Sequence, residues 1–285
     1  MKPVPVEGAT LATYSEGHGT PVIFLHGGPG DTHHYMKRMA EPLFKDFQCI
    51  FFDQRGTGAS SVRARSPENF AMPLLLEDIK AVARAYDTGP VRLVGHSWGA
   101  MYGLYACMAA PELYTHAALL NMGPLDAEAE AASTRRIVET MTTDESARWA
   151  TLRLQRNEAR DAGDTATVRA FDNEMMRLRV KSWIYNPALH EEFLADYFQD
   201  PPPDRDVNKW IWNAQFGWFD WHRVTSVTTK IWLCAGDHDA TPLEQFRRLA
   251  AALPNGTLTE FENCGHIPWL ESPHVFYNQI GVTLG

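Results

Sequence analysis

The chain has little cysteine, no long apolar run and no surplus of positive charge, and each shortage removes a class of function. Its four cysteines, Cys49, Cys107, Cys234 and Cys264, are spread widely over 285 residues. Three of them lie in apolar strand-like or helix-like stretches, so buried free thiols are expected rather than a disulfide framework or a zinc knuckle. No stretch approaches the roughly 18 apolar residues of a membrane span, and the amino-terminal MKPVPVEGAT has no apolar signal core. With 35 acidic against 26 basic residues the formal charge is −9, which repels nucleic acid and anionic membranes over most of the surface. Neither GxGxxG nor GxxxxGK[ST] occurs, so a glycine-rich phosphate cradle is not indicated. The expectation is a cytoplasmic protein without cofactor or metal, acting on a small molecule or short peptide, with no nucleic-acid or membrane partner.

What is present is a rhythm. Short apolar runs at 22–25, 49–52, 91–94, 117–120 and 231–234 are mostly followed by a turn signal and a helical pattern, the alternation of a parallel sheet covered by helices. Their near-continuous hydrophobicity suits strands buried on both faces. Residues 4–14 read as a hairpin-like entry and 257–261 as a last strand near the sheet edge. Helical patterns fall at about 33–44, 68–86, 98–110, 242–252 and 273–281.

The rhythm breaks between 124 and 222, where charged helical runs such as 145–160 and 165–181 occur without a clear strand. This stretch reads as a helical cap inserted between two parts of a core, 1–123 and 223–285. It carries 18 acidic and 12 basic residues, either a solvated helical face or an acidic substrate entrance. Within it, residues 200–204 (Asp-Pro-Pro-Pro-Asp) form a stiff extended piece that divides the cap.

The chemistry lies in the core. Gly95-His96-Ser97-Trp98-Gly99 matches the G-x-S-x-G nucleophile elbow and sits between a strand and a helix, as that turn requires. The flanking glycines let strand and helix pack closely around a strained serine. A serine hydroxyl needs a base within reach, and among eleven histidines His266, in the loop after the last strand, is best placed. The orienting acid is expected after the run 231–234, in Gly236-Asp237-His238-Asp239; the turn and Pro242 favour Asp239, with Asp237 as the competitor. Two backbone N–H groups are needed to stabilise an oxyanion. Trp98 should provide one, and Gly28, or else Gly27, in the glycine-rich His26-Gly-Gly-Pro-Gly30 the other.

Three pieces together, His26-Gly-Gly-Pro-Gly30, Asp53-Gln-Arg-Gly-Thr-Gly58 with Ala59-Ser60, and Gly95-His-Ser-Trp-Gly99, resemble the proline iminopeptidase branch of the α/β-hydrolase superfamily. The resemblance implies an α/β fold with a mostly parallel central sheet flanked by helices. It also implies that Asp53 and Arg55 tie active-site loops together, and that an amino-terminal residue is released from small peptides through an acyl-enzyme on Ser97. Such enzymes hold the substrate's α-ammonium with cap carboxylates, sometimes with a glutamate directly after the catalytic aspartate. Here that position is Ala240, and the cap presents a neutral Gln215, so a carboxylesterase or other acyl hydrolase on the same machinery is the alternative. Cap candidates for substrate contact are Gln215, Trp218 and Glu191, with Glu174, Glu192 and Asp220 as further acids. The aromatic cluster Trp210, Trp212, Phe216, Trp218, Phe219 and Trp221 either walls an apolar pocket or fastens cap to core.

Overall fold

Alternation along the buried strands divides the interior into two layers. Ile23 and Leu25 face one side while Val22 and Phe24 face the other. The same split separates Ile50 and Phe52 from Cys49 and Phe51, and Ile231 and Leu233 from Trp232 and Cys234. A two-residue side-chain period on strands covered on both faces produces this division. In the computed structural model, which describes residues 1–285, nine strands form one sheet. They are β1 (Lys2–Val6), β2 (Ala9–Gly17), β3 (Thr20–Leu25), β4 (Phe47–Phe52), β5 (Ser61–Val62), β6 (Val91–His96), β7 (Tyr114–Leu120), β8 (Lys230–Gly236) and β9 (Gly256–Phe261).

The order across the sheet is β1-β2-β4-β3-β6-β7-β8-β9, with the two-residue β5 paired to β2. From β4 to β9 along this order every pairing is parallel, and only the pairings of β2, with β1, β4 and β5, are antiparallel. Each expected apolar run is a strand, lengthened by one to three residues at one or both ends. The expected hairpin-like entry is β1 and β2, and β9 lies at the sheet edge. β5 is too short to leave a periodic signal.

The larger apolar layer holds 40 buried residues and includes the helices Met72–Ala85 and Trp98–Ala109. The other layer is covered by His34–Ala40 and Pro273–Leu284. Helix Trp98–Ala109 is apolar on every side and almost wholly buried, which is why its sequence lacks a polar stripe.

Between β7 and β8 the chain forms no strand. It runs through helices Ala127–Glu139, Thr143–Asp161, Thr165–Trp183, His190–Tyr197, Arg205–Ala214 and Trp221–Val224. The pair Thr143–Asp161 and Thr165–Trp183 begins with side-chain caps. Thr142 and Glu145 form a reciprocal capping box, and Asp164 accepts from Thr167 N, each supplying acceptors that a helix start otherwise lacks. Residues 201–204 carry no helix or strand and separate His190–Tyr197 from Arg205–Ala214, as three prolines dictate. No helix is long and apolar enough to cross a membrane.

Candidate active site

All the expected core residues emerge at the carboxyl ends of parallel strands, the edge at which open α/β sheets form their crevices. Ser97 follows β6, Gly27 and Gly28 follow β3, Asp239 follows β8 and His266 follows β9. Ser97 has φ 57° and ψ −121°, a left-handed conformation that a side chain seldom adopts. A Cβ on Gly99 would overlap the Leu25 carbonyl, and one on Gly95 would overlap the Gly99 carbonyl. Both glycines are therefore required for the strand and helix to approach closely enough to hold that turn.

His266 Nδ1 donates to Asp239 Oδ2 at 2.9 Å, with both side chains buried. Because a carboxylate accepts, the neutral ring carries its proton on Nδ1, and Nε2, which has no partner, keeps its lone pair. Asp239 is fixed in turn by Asn121, whose amide donates to the same Oδ2 at 2.8 Å and to the Gly265 carbonyl at 2.9 Å. Asn121 follows β7 directly and has φ 43°; nothing in its local sequence announces it. Asp237 does not touch the imidazole. It accepts from the backbone N–H of Asn263 and Cys264, at 3.1 and 3.2 Å, and so shapes the loop that carries His266.

The glycine-rich loop is locked by His96, the residue before Ser97. His96 Nε2 lies 3.0 Å from the His266 carbonyl and must donate to it, so Nδ1 accepts from the Tyr35 hydroxyl at 3.0 Å. The same hydroxyl accepts the Gly27 N–H at 2.6 Å. Burial holds the His96 ring well below its usual titration range and keeps it neutral, as this chain of donors needs. The Gly27 N–H is thereby spent. Gly28 lines the cavity beside Ser97 and Trp98, and Trp98 opens a helix, where a backbone N–H has no intrahelical acceptor.

The Asp53 to Gly58 segment ties neighbouring loops together. Asp53 accepts from His33 N and His33 Nδ1 on one oxygen and from Ala59 N on the other. Arg55 forms a two-pronged pair with the buried Asp78, at 2.6 and 2.7 Å. Gln54 lies between them and was not singled out from sequence. Its N–H donates to His26 Nε2, its amide donates to the His26 carbonyl, and its oxygen accepts from Trp98 Nε1. One glutamine thus bridges the glycine-rich loop and the residue after Ser97. Burial lowers His26 to about 4, in keeping with a neutral ring that accepts at Nε2 and donates from Nδ1 to Gly27 O.

Over these loops lies a cavity of about 850 Å³, walled on one side by Ser97, Trp98, Asp239 and His266 and on the other by the helices between β7 and β8. The helical segment is fastened to the loops after β3 and β9. Asp204 N donates to Gly30 O and Asn208 Nδ2 to Pro29 O, while His266 N donates to Trp183 O. The Trp183 ring lies against His266, with centroids 4.8 Å apart. Trp212 reaches the cavity and packs on Trp98 at 6.0 Å.

Three expected contacts in the cap are corrected, since none of Gln215, Trp218 and Glu191 lines the cavity. Gln215 sits at the C-cap of Arg205–Ala214, and its oxygen is occupied by the Tyr105 hydroxyl at 3.0 Å. Trp218 packs against the larger core layer, and Glu191 is exposed in the first turn of a helix. Glu174 pairs with Arg148 and Asp220 caps a short helix, while Glu192 does reach the cavity wall. Of the aromatic cluster only Trp212 lines the cavity; Trp210 packs at a tilt against Phe70, Trp221 lies under Arg248 and Phe216 is exposed. The wall is of mixed charge, because aspartates there are matched by Arg38 and Arg205.

Among the charged wall residues that are not exposed, two have no counter-charge in contact. Asp31 follows the glycine-rich loop directly, forms no ion pair, and is pushed up to about 6 by burial, a shift that Arg205 partly opposes. Arg179, on helix Thr165–Trp183, is lowered to about 10 by burial. No group of three His, Cys, Asp or Glu residues is arranged to hold a metal. All four cysteines are buried and free, and burial raises each thiol.

The profile of the Alpha/beta hydrolase family matches residues 22–279. A proline iminopeptidase of Heyndrickxia coagulans is 23% identical over 275 residues, covering 93% of this chain and 90% of the relative. One from Lactobacillus acidophilus is 34% identical over 96 residues, 33% of this chain; that match spans about a third of the relative, 32% of its length. Among solved structures, the putative non-heme bromoperoxidase BpoC of Mycobacterium tuberculosis superposes with a TM-score of 0.71 at 22% identity, covering 96% of this chain and 94% of the other. That likeness is one of fold.

Proposed function

Since the chain belongs to the alpha/beta hydrolase family, we propose that it is a serine hydrolase that works through an acyl-enzyme on Ser97. The observation that carries this reading is the Asp239 to His266 hydrogen bond of 2.9 Å, which leaves an unpartnered Nε2 in the same cavity as Ser97. His266 takes the Ser97 proton as the hydroxyl attacks a carbonyl carbon, then delivers it to the leaving group. Asp239 holds the imidazole in the tautomer that makes this possible, and Asn121 holds Asp239. The N–H groups of Gly28 and Trp98 receive the oxyanion, Gly27 being engaged by Tyr35. Losing one such donor costs about 3–4 kcal/mol in comparable sites. Water activated by the same imidazole then releases the acyl group.

Within this chemistry the substrate is an amino-terminal residue of a short peptide, as in the proline iminopeptidases to which the chain is similar. The acid that receives the α-ammonium is Asp31 rather than a cap glutamate. It lines the cavity without an ion-pair partner, and burial makes its charge costly until a cation arrives. A panel of amino-terminal prolyl and other aminoacyl arylamides against short acyl esters tests the reading. Cleavage of arylamides is expected, with KM rising below about pH 6 as Asp31 takes up a proton. Hydrolysis of esters alone would favour the second reading, an acyl hydrolase. Ala240 beside Asp239 and the distance of Gln215 from the cavity support that alternative, because they leave the site with fewer polar groups for an ammonium.

A further inference from the structure

Of the arginines lining the cavity, Arg169 is exposed, and among the others only Arg179 lacks a paired aspartate. Arg38 pairs with Asp196 and Asp200, and Arg156 and Arg205 share Asp172. Arg179 has no such carboxylate. Its Nε is fully buried without a hydrogen-bond partner, the residue is only partly exposed, and that exposure is to the cavity. The ring of Trp183, one helical turn on, lies beside it, with the guanidinium 4.6 Å from the ring centroid. Trp183 in turn lies against His266. The cation is therefore held one indole ring away from the imidazole. A stacked arginine keeps its donor edge free, and that planar fork matches the two oxygens of a carboxylate. An unpaired guanidinium in a poorly solvated wall costs free energy that Asp239 and Asp31, neither in contact with it, offset only in part, and an anion brought by a ligand recovers more of it.

We propose that Arg179 is a specificity-determining subsite that binds a carboxylate carried by the substrate on its leaving-group side. The side follows from the position of Trp183 against His266, because the imidazole passes its proton to the leaving group and so stands next to it. Gly28 and Trp98, which receive the oxyanion, approach Ser97 from the β3 and β6 loops. The inference rests on the serine-hydrolase reading and deepens it. On the aminopeptidase reading the substrate is a short peptide with a free carboxyl end, its ammonium at Asp31 and its carboxylate at Arg179. On the ester reading the leaving alcohol carries the carboxylate.

The test compares pairs of substrates that differ only in this charge. One pair is prolyl-alanine and prolyl-alanine amide; the other is a butyryl ester of 4-hydroxybenzoate and the same ester with the benzoate methylated. Wild-type kcat/KM should favour the acid by about tenfold to hundredfold in whichever pair is cleaved. In Arg179→Met that ratio should fall to near one, and Arg179→Lys should restore part of it. Circular dichroism of each variant checks that it is folded, and the ratio within one variant is independent of how much enzyme is active. No preference for the acid in the wild type, or a preference that survives in folded Arg179→Met, would overturn the subsite. Cleavage of the esters but not the peptides would remove the aminopeptidase reading while leaving Arg179 tested on the esters. If neither pair turns over, calorimetric titration of the Ser97→Ala protein with the four compounds reads the same ratio from binding.

Discussion

At the scale of single residues, the assignment turns on which of two aspartates serves the imidazole. Both lie in the four residues after β8, and local sequence favours Asp239 only through its turn. The hydrogen bonds give each a separate task, with Asp239 bound to His266 and Asn121, and Asp237 bound to the backbone of Asn263 and Cys264. Asp239→Asn would supply a donor where an acceptor is needed and favour the wrong tautomer. A loss of about 10⁴ in kcat is expected by analogy with such sites. Asp237→Asn keeps one of the two acceptor oxygens that the loop uses and should cost less than about tenfold, because the imidazole keeps its partner. Steady-state kinetics on both variants read the difference, and comparable losses would contradict the assignment.

At the scale of elements, the site is held by contacts between loops that are distant in sequence. Gly27, Tyr35, His96 and His266 form one directional chain of hydrogen bonds that joins the loop after β3 to the loop after β9 through the residue preceding Ser97. Gln54 makes a second bridge. These links explain what could be read from the sequence and what could not. Ser97 and its glycines are legible because a strained turn restricts its own neighbours, and His266 is legible because it follows a strand at the end of the rhythm. Asn121, Gln54, Tyr35 and Arg179 carry no such local mark. Their importance lies in partners tens of residues away, or, for Arg179, in having none. The cap misled in the same way, since which face of a helix meets the cavity depends on packing against the core. Gln215 and Glu191 point elsewhere for that reason. The elbow itself should be intolerant of any added carbon. In Gly99→Ala the new Cβ meets the Leu25 carbonyl, which is backbone and cannot swing aside. Overpacking of this kind costs about 1–3 kcal/mol or more, readable as a lower midpoint in urea unfolding.

At the scale of the whole molecule, the parallel strands deliver five loops to one edge and the helical insertion between β7 and β8 closes over them. The insertion is fastened at Pro29 and Gly30 on one side and at His266 on the other, so the wall of the cavity and the loops around Ser97 form a connected unit. Much of the net negative charge belongs to this insertion, yet the aspartates of the wall are largely matched by arginines, leaving Asp31 and Arg179 as the unpaired charges that are not exposed. An acidic entrance is therefore not what the cavity offers. Apart from the exposed Arg169 and Glu192, it offers one unpaired charge of each sign, which suits a zwitterionic substrate.

The central claim is that Ser97 is a nucleophile activated by His266, and covalent labelling tests it most directly. Treatment of folded protein with a fluorophosphonate, followed by intact mass and peptide mapping, should give one adduct, on Ser97. The adduct should be absent in Ser97→Ala and formed at least about a hundredfold more slowly in His266→Ala, because an unassisted serine hydroxyl is a weak nucleophile. An unlabelled wild-type protein, or an adduct that persists in Ser97→Ala, would contradict the account.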